Sequence, residues 1–178
     1  LTGASMENPH YVTAIAGAQI KGVLGTGVKD PANTRIISGD VLTGQKVCEN
    51  TFLGFYDDQI TAIPEGNDYD LLGWAKPISN KISLTRALTF SWLHPNKKYN
   101  LNTNTNGEGR AFVVTGMYEE VFPLDIYPMQ LLKACLYKDL DELENLGAYE
   151  VAPEDFALTE FVCVSKQPHQ QIIRDGLD

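Results

Sequence analysis

The sequence predicts an α+β protein, with a mixed α/β first half of short strands and an all-α second half. Two observations carry this prediction. Up to about Leu93, short β-favouring runs alternate with Gly, Pro, Asn and Asp, a pattern typical of small sheets with tight turns. After Ala111 the apolar residues recur at spacings of three and four, which is the period of an amphipathic helix.

The first half is predicted to contain three strands and one short helix. The strands are expected at Tyr11–Ile15, Thr34–Ile37 and Gln59–Ile63, where β-favouring residues stand between turn residues. The helix is expected at Ala18–Leu24, directly after a glycine. Residues 1–98 are therefore assigned to one α/β region. The polar and glycine-rich residues 99–110 are assigned to a connector, and residues 111–178 to a helical domain.

The first long helix of the second half is predicted in "YPMQLLKACLYKDL". Its spacing predicts a buried face formed by Met129, Leu132, Leu136 and Leu140. Pro128 suits the first turn of this helix, because a proline there gives up an N–H that has no helical partner anyway.

Three further helices are predicted after this one. The acidic stretch "DLDELENLG" is expected to end at Gly147 in a left-handed conformation. Another helix is expected in "APEDFALTEFVC", where acidic residues stand at the positive end of the helix dipole. The last helix is expected to begin after Pro168.

Composition narrows the class of protein. The 178 residues carry a net charge of −9 with a pI near 4.7, which argues against nucleic-acid binding because phosphate backbones are held by clustered Lys and Arg. The three cysteines, Cys48, Cys135 and Cys163, are odd in number and far apart, which fits a reducing compartment. Cys48 is expected at the surface and Cys135 in a helix core. The chain starts without Met and stops inside a predicted helix, so we expect it to be part of a longer protein.

The stretch "NTNTNGEGRAFVVTG", Asn102 to Gly116, invites a nucleotide-binding interpretation that its residues do not support. A P-loop needs a Lys after its second glycine, and none follows Gly109. The second candidate, "GVLGTGVKD", has Asp30 where a dinucleotide fingerprint needs its third glycine. We therefore interpret the first stretch as a joint, in which Gly107 and Gly109 are expected to permit turns with positive φ.

No catalytic, cofactor-binding or metal-binding residue is predicted. A zinc site needs ligands at short spacings, and the three histidines are separated in sequence from the cysteines. A Cys–His nucleophile pair brought together by the fold stays open at this point. Trp74 and Trp92 are expected to pack in cores.

An internal repeat relates two parts of the second half. A shift of 41 residues places "YEEVFPLDIYPMQLLK" over "TEFVCVSKQPHQQIIR". Within this alignment Glu119 meets Glu160, Val121 meets Val162, and the paired leucines of the first copy meet two isoleucines of the second. The alignment contains three identities and three conservative pairs, a level of similarity that two unrelated amphipathic helices could also share.

The repeat has a chemical interpretation. Two-cluster ferredoxins use C-x2-C-x2-C-x3-C-P twice, with a helix after each proline. Aligning Phe122-Pro123 with the final Cys-Pro assigns eight ligand positions, of which only one carries a thiol. A cluster needs thiolates, so we predict a ferredoxin-like helical domain without clusters. The positions are Phe112, Thr115, Tyr118 and Phe122 in the first copy, and Pro153, Phe156, Thr159 and Cys163 in the second.

The chain also resembles a known family. The stretches "TRIISGDVLTGQ", "LGFYDDQITAIPEG", "LGWAKP", "NTNTNGEGRAFVVTGMYEEVFPLDIYPMQLL" and "FVCVSKQPHQQIIRDGLD" occur in the order found in the C-terminal part of the A subunit of the sodium-translocating NADH:quinone reductase, Na+-NQR. The family in turn resembles the electron-input subunit of the Rnf complexes and the flavin/NADH subunit of respiratory complex I. Members of the family often have Cys where this chain has Thr159, a departure that weakens cluster binding further.

The resemblance implies an architecture and a setting. A soluble-ligand-binding-β-grasp (SLBB) domain is implied at roughly Glu7–Tyr56, followed by a helical ferredoxin-like domain. The protein would be a peripheral component on the cytoplasmic side of the inner membrane of a bacterium. Its partners would be the membrane-embedded subunits of a complex that uses NADH, flavins, iron–sulfur clusters and quinone, with none of these cofactors held by this chain.

Two functions follow as expectations. The first is a structural and assembly role in the sodium-pumping reductase, with a contribution to quinone binding and no catalysis by the chain itself. The second is a small-molecule binding module of the β-grasp type that binds a quinone-like ligand, again without catalytic activity. A concave apolar pocket with a few converging polar groups would favour the second.

Overall fold

The structure is a computed structural model that describes residues 1–67, 69–73, 75–76, 80–84, 86–113 and 116–178. The chain divides into two compact units, Leu1–Asn106 and Gly107–Asp178, which are described separately. A small antiparallel sheet and several helices make this a mixed α/β protein, as predicted.

The first unit is built on a three-stranded antiparallel sheet in the order β2-β1-β3. The strands are β1 (Thr34–Ser38), β2 (Gln45–Val47) and β3 (Ile60–Pro64). Ile36 in the central strand lies opposite Val47 on one side and Ala62 on the other. The predicted strands at 34–37 and 59–63 are confirmed within a residue at either end. The strand β2 escaped prediction because a three-residue run with two polar members carries no β signal.

A short helix, α1 (Ile20–Leu24), closes the core of this unit. It confirms the helix predicted there. Its Ile20 and Leu24 are buried against the sheet with Met6, Ile36, Ile60 and Ala62. The chain start crosses β3 closely enough to need a glycine: a Cβ on Gly3, whose φ is +112°, would lie 2.0 Å from the Ala62 carbonyl oxygen.

The strand predicted at Tyr11–Ile15 is wrong. These residues form no strand and their side chains are exposed, fully so for Tyr11 and 85% for Ile15. Although these residues favour β structure, no neighbouring strand pairs with them. An isolated strand would leave its backbone N–H and C=O groups bonded only to water, so the β preference alone does not form a strand here. The prediction that Trp92 packs in a core is also wrong, since 61% of its surface is exposed. Trp74 lies outside the described residues.

The second unit is all α throughout its described residues, as predicted. Its first three helices are α2 (Met117–Val121), α3 (Pro128–Tyr137) and α4 (Leu140–Asn145). The last two are α5 (Ala157–Val162), which continues from the 3-10 turn Pro153–Phe156, and α6 (His169–Leu177). A further 3-10 turn spans Ala148–Glu150, and another lies in the first unit at Ser91–Leu93.

The buried face of α3 differs in part from its prediction. Met129 and Leu132 are buried, but Leu136 and Leu140 are mostly exposed. The helix ends at Tyr137, and Lys138 follows with a left-handed backbone, so the predicted periodicity is broken before it reaches Leu140. Leu131, Ala134 and Cys135 are also buried and complete the face. The burial of Cys135 and the exposure of Cys48 agree with prediction.

Two turn predictions had opposite outcomes. Gly147 follows α4 with φ of +79°, as predicted. The prediction of positive φ at Gly107 and Gly109 is wrong, because the left-handed residue beside them is Asn106, with φ of 52°. Asparagine is among the few residues that adopt this conformation readily, so the turn does not require a glycine.

The two copies of the repeat pack on one another. Helix α3 lies against α6, and α2 lies against α5, so each helix contacts its counterpart in the other copy. Equivalent positions are buried in both copies: Leu131 and Leu132 in α3, and Ile172 and Ile173 in α6. Among the described residues, no helix is long and apolar enough to cross a membrane.

Candidate functional site

A cluster of four polar side chains lies in the core of the helical unit and is the candidate site. Tyr118 lies in α2 and Thr159 in α5. Cys163 directly follows α5, and His169 is the first residue of α6. Each of them is at most 1% exposed. Burial of polar groups costs free energy unless they are hydrogen-bonded, so their contacts decide what the cluster is for.

The local chain path brings these residues together. Helices α2 and α5 are each followed by a residue in extended conformation, Phe122 and Cys163, which turns the chain back toward the core. Both residues are buried. Pro168 then precedes α6, so that His169, its first residue, points inward rather than to solvent.

Hydrogen bonds join the four residues of the cluster into two pairs. The Tyr118 hydroxyl lies 2.9 Å from the Cys163 sulfur. The Thr159 hydroxyl donates to the Phe156 carbonyl at 2.9 Å and lies 2.9 Å from Nδ1 of His169. A threonine hydroxyl has one proton to donate, so Nδ1 of His169 must carry the proton of the second bond.

This assignment leaves Nε2 of His169 as the unprotonated nitrogen. Nε2 is buried and has no hydrogen-bond partner among the residues that the structure describes. Instead, aromatic rings surround the imidazole. Its centroid lies 4.8 Å from that of Tyr118, edge to face, and 5.6 Å from that of Phe112.

Burial keeps the imidazole of His169 and the phenol of Tyr118 uncharged near neutral pH. Desolvation lowers the pKa of His169 from 6.5 to about 4. Desolvation, followed by the hydrogen bond to Cys163, raises the pKa of Tyr118 well above its usual 10. The imidazole and the phenol are therefore both neutral under physiological conditions.

For Cys163 and His169, these contacts argue against a Cys–His nucleophile pair. The Cys163 thiol bonds to Tyr118, whereas the imidazole of His169 bonds to Thr159. Both residues are completely buried, so a substrate has no access to either. A nucleophile needs a base within hydrogen-bond reach and an open approach. The arrangement is suited to packing rather than to nucleophilic catalysis.

The structure brings most of the eight positions that the ferredoxin alignment singled out into this core. Phe112 and Pro153 are half-buried, Thr115 lies outside the described residues, and the other five are buried. Contacts run between the two copies. Cys163, the fourth position of the second copy, meets Tyr118 of the first copy. Phe122, the fourth position of the first copy, packs on Phe156 of the second with centroids 4.7 Å apart.

The sequence pointed to Tyr118, Thr159 and Cys163 only as positions of the ferredoxin alignment, of which Cys163 alone keeps a thiol, and it gave His169 no place in the core. A signal for His169 was nevertheless present. The shift of 41 residues aligns it with Pro128, and both residues are fully buried at the start of equivalent helices.

In the β unit, the polar groups at the end of β1 are bonded to one another. Ser38 donates to the Asp57 carboxylate and accepts from the Gly54 backbone N–H at 3.0 Å. The Thr61 hydroxyl donates to the Gly39 carbonyl at 2.7 Å. A Cβ on Gly54 would lie 2.3 Å from Asp57, so the turn is closely packed. These bonds hold the turn in place.

Comparison with known proteins links the chain to one group. Residues 1–49 match the model of the family described as NQRA C-terminal domain. The chain is 39% identical over its whole length to the A subunit of the Na(+)-translocating NADH-quinone reductase of Vibrio atlanticus, covering 40% of that protein. It is 40% identical to the same protein of Vibrio vulnificus, with the same coverage. It is 37% identical to that of Rhodopirellula baltica, over 99% of the chain and 39% of the relative. The chain thus spans about 40% of the length of these curated relatives.

Proposed function

The chain is a relative, over its whole length, of the C-terminal part of the A subunit of the Na(+)-translocating NADH-quinone reductase, and from that premise we propose that it has an assembly role in a sodium-pumping NADH:quinone reductase. In this role the chain is a peripheral component on the cytoplasmic side of the membrane. It helps to hold the membrane-embedded subunits together and performs no redox step itself.

The helical unit is, in this proposal, a ferredoxin-like domain that has lost its clusters. The pattern of contacts supports it. In two-cluster ferredoxins the fourth cysteine of each motif ligates the cluster of the other motif. Here the fourth position of each copy contacts a ligand position of the other copy: Cys163 bonds to Tyr118, and Phe122 packs on Phe156. The same crossed arrangement is retained with side chains in place of iron and sulfide.

The observation that carries the proposal is the chemistry of these positions. An iron–sulfur cluster needs four cysteine thiolates, and of the eight positions only Cys163 has a thiol. That thiol is hydrogen-bonded to a phenol, and aromatic rings occupy the surrounding space. The residues present therefore do not fit a cluster. A core of neutral, mutually bonded side chains supports a structural role.

The assembly role is tested by retention of the other subunits. The purified 178-residue chain, shown to be folded by its circular dichroism spectrum and a cooperative melt, is immobilised and mixed with detergent-solubilised membranes that contain a reductase without its A subunit. We expect the membrane subunits to be retained. If a folded chain retains none of them, the docking surface lies outside these 178 residues and the proposed role is wrong.

A second candidate function is the binding of a quinone-like ligand by the β unit. Exposed aromatic rings favour it: Phe55 and Tyr56 are 79% and 95% exposed and contact each other edge to face, with centroids 5.0 Å apart. Planar rings of this kind can stack on a quinone headgroup. A soluble short-chain quinone should then raise the melting temperature of the chain, and Tyr56→Ser should remove the shift. If saturating quinone does not change the melting temperature, quinone binding is rejected and the assembly role is the one remaining candidate.

A further inference from the structure

The residues 71–107 differ from the rest of the chain in charge. This segment contains five of the 14 Lys and Arg residues and none of the 23 Asp and Glu residues. It therefore carries a charge of +5, while the remaining residues carry a large negative charge. Both tryptophans of the chain also lie within it. We call residues 71–107 the basic aromatic segment.

The described part of this segment exposes large apolar side chains. Phe90, Trp92 and Leu93 are 48%, 61% and 51% exposed. They lie in and beside the 3-10 turn Ser91–Leu93, which follows Phe90 in a left-handed backbone conformation. Several large apolar side chains exposed side by side are a feature of binding surfaces, because the transfer of apolar area out of water lowers the free energy.

The positive charges are not all equally available. Lys76 and Lys81 form ion pairs with Asp70, which directly precedes the segment. Lys97 lies over the ring of Tyr99, with its ammonium nitrogen 5.3 Å from the ring centroid. The side chains of Arg86 and Lys98 are exposed.

The cationic and aromatic side chains are close in space. Lys81 and Lys97 line one shallow depression together with Phe90, His94 and Tyr99. Trp92 and Leu93 are exposed and stand in the chain between Ser91 and His94, which both line the depression. One face of the β unit thus combines apolar rings with positive charge.

We propose that the basic aromatic segment binds the surface of an anionic lipid membrane. Tryptophan and tyrosine favour the headgroup region of a bilayer, and Lys and Arg are attracted to anionic headgroups. The cores of protein–protein interfaces, by contrast, are depleted in lysine. The acidic remainder of the chain is repelled by the same headgroups, so the chain would bind through this segment and in one orientation. The inference does not depend on the proposed assembly role, since it concerns contact with lipid alone.

The test is co-sedimentation of the purified 178-residue chain with lipid vesicles. We expect binding to phosphatidylcholine vesicles that contain about 30% phosphatidylglycerol and no binding to pure phosphatidylcholine, because the anionic lipid supplies the surface potential. Salt at about 0.5 M should release the chain, since it screens charges beyond a few ångströms.

Paired substitutions separate this segment from general electrostatics. Arg86→Gln with Lys98→Gln should weaken binding about 25-fold, from roughly a fivefold loss for each cation at the surface. The matched control, Lys21→Gln with Arg110→Gln, changes the net charge equally at exposed positions outside the segment and should leave binding within about twofold. Trp92→Ser should weaken binding about tenfold, whereas Tyr11→Ser, at a fully exposed ring outside the segment, should not.

Three outcomes would overturn the inference. The first is no binding to anionic vesicles by a chain that is folded. The second is equal loss of binding in the test and control pairs. In the third, the chain retains the membrane subunits in detergent but does not bind vesicles, and Arg86→Gln with Lys98→Gln abolishes that retention. This result would assign the segment to an acidic protein surface.

Discussion

Single residues of the buried cluster decide how the helical unit is stabilised. Thr159 is the clearest case, because its one hydroxyl serves both the Phe156 carbonyl and the imidazole of His169. A buried donor that loses its partner costs about 1–3 kcal/mol. The hydroxyl, rather than the shape of the side chain, is therefore expected to matter at this position.

We predict that Thr159→Val, which keeps the shape and removes the hydroxyl, lowers the free energy of unfolding by about 1–3 kcal/mol. Thr159→Ser keeps the hydroxyl and should stay within about 1 kcal/mol of the wild type, since it loses only a methyl group. Urea unfolding followed by circular dichroism measures both. Equal losses in the two variants would show that the hydrogen bonds contribute little.

Because His169 is buried with a lowered pKa, we predict that the free energy of unfolding depends on pH. Its pKa falls from 6.5 in the unfolded chain to about 4 in the fold, so the unfolded state takes up the proton first as the pH drops. The stabilisation is complete above pH 6.5 and is lost as the pH falls from 6.5 toward 4. Between pH 7 and pH 5 the loss is about 2 kcal/mol.

Urea unfolding at the two pH values measures this loss, and His169→Phe should remove most of it. His10→Gln and His94→Gln, at exposed histidines, are controls that should keep the wild-type dependence. If the His169→Phe variant shows the full pH dependence, the imidazole is not held neutral in the core.

For the single residues of the buried cluster, the sequence predicted some features and not others. The alignment with the ferredoxin motif singled out Tyr118, Thr159 and Cys163, and the phenol and hydroxyl side chains at two of these positions indicated packing. Which atoms bond to which did not follow, because two helices of unrelated register could have shared the same pattern. The tautomer of His169 depends on a Thr159 bond that only the fold provides.

Among the secondary-structure elements, the packing of α6 on α3 gives the sharpest prediction. A Cβ on Gly176 in α6 would lie 2.7 Å from both the Cβ and the sulfur of Cys135 in α3. Gly176→Ala gains about 1 kcal/mol of helix propensity but forces a well-packed contact apart, at a cost of about 1–3 kcal/mol. The net expectation is destabilisation.

The matched control is Gly22→Ala in α1, where an added Cβ meets nothing within 4 Å. That change should stabilise the chain by about 0.5–1 kcal/mol through helix propensity alone. Thermal melts of the two variants measure the contrast. If both alanines stabilise the chain equally, the two helices are not in close contact at Gly176.

Helices and strands were predictable where periodicity or caps were strong. Pro128, Pro168 and Gly147 placed the ends of three helices, because their backbone preferences act locally. The errors at Tyr11–Ile15 and in the face of α3 have another cause. Whether a β-favouring run finds an edge, and where Lys138 breaks a helix, is decided by tertiary structure rather than by composition.

The molecule as a whole consists of two compact units. The β unit contains the residues that match the NQRA C-terminal domain and all of the basic aromatic segment except its last residue, Gly107. The helical unit contains the eight positions that the ferredoxin alignment singled out. The mixed α/β class and the family resemblance could be predicted from the sequence, because hydrophobic periodicity and the order of the motifs are visible without knowledge of the tertiary structure. The exposed face around Trp92 did not, since apolar residues are expected inside.

The most direct test of the filled cluster positions is chemical reconstitution. The chain is incubated anaerobically with ferrous iron, sulfide and a thiol reductant, desalted, and assayed for iron and acid-labile sulfide. A domain with two four-iron clusters would hold about eight iron atoms per chain. We expect far less than one, with no charge-transfer absorption near 400 nm, because seven of the eight positions lack a thiolate. Stoichiometric iron and sulfide would contradict the proposed structural role, since the helical unit would then carry electrons rather than serve as a scaffold.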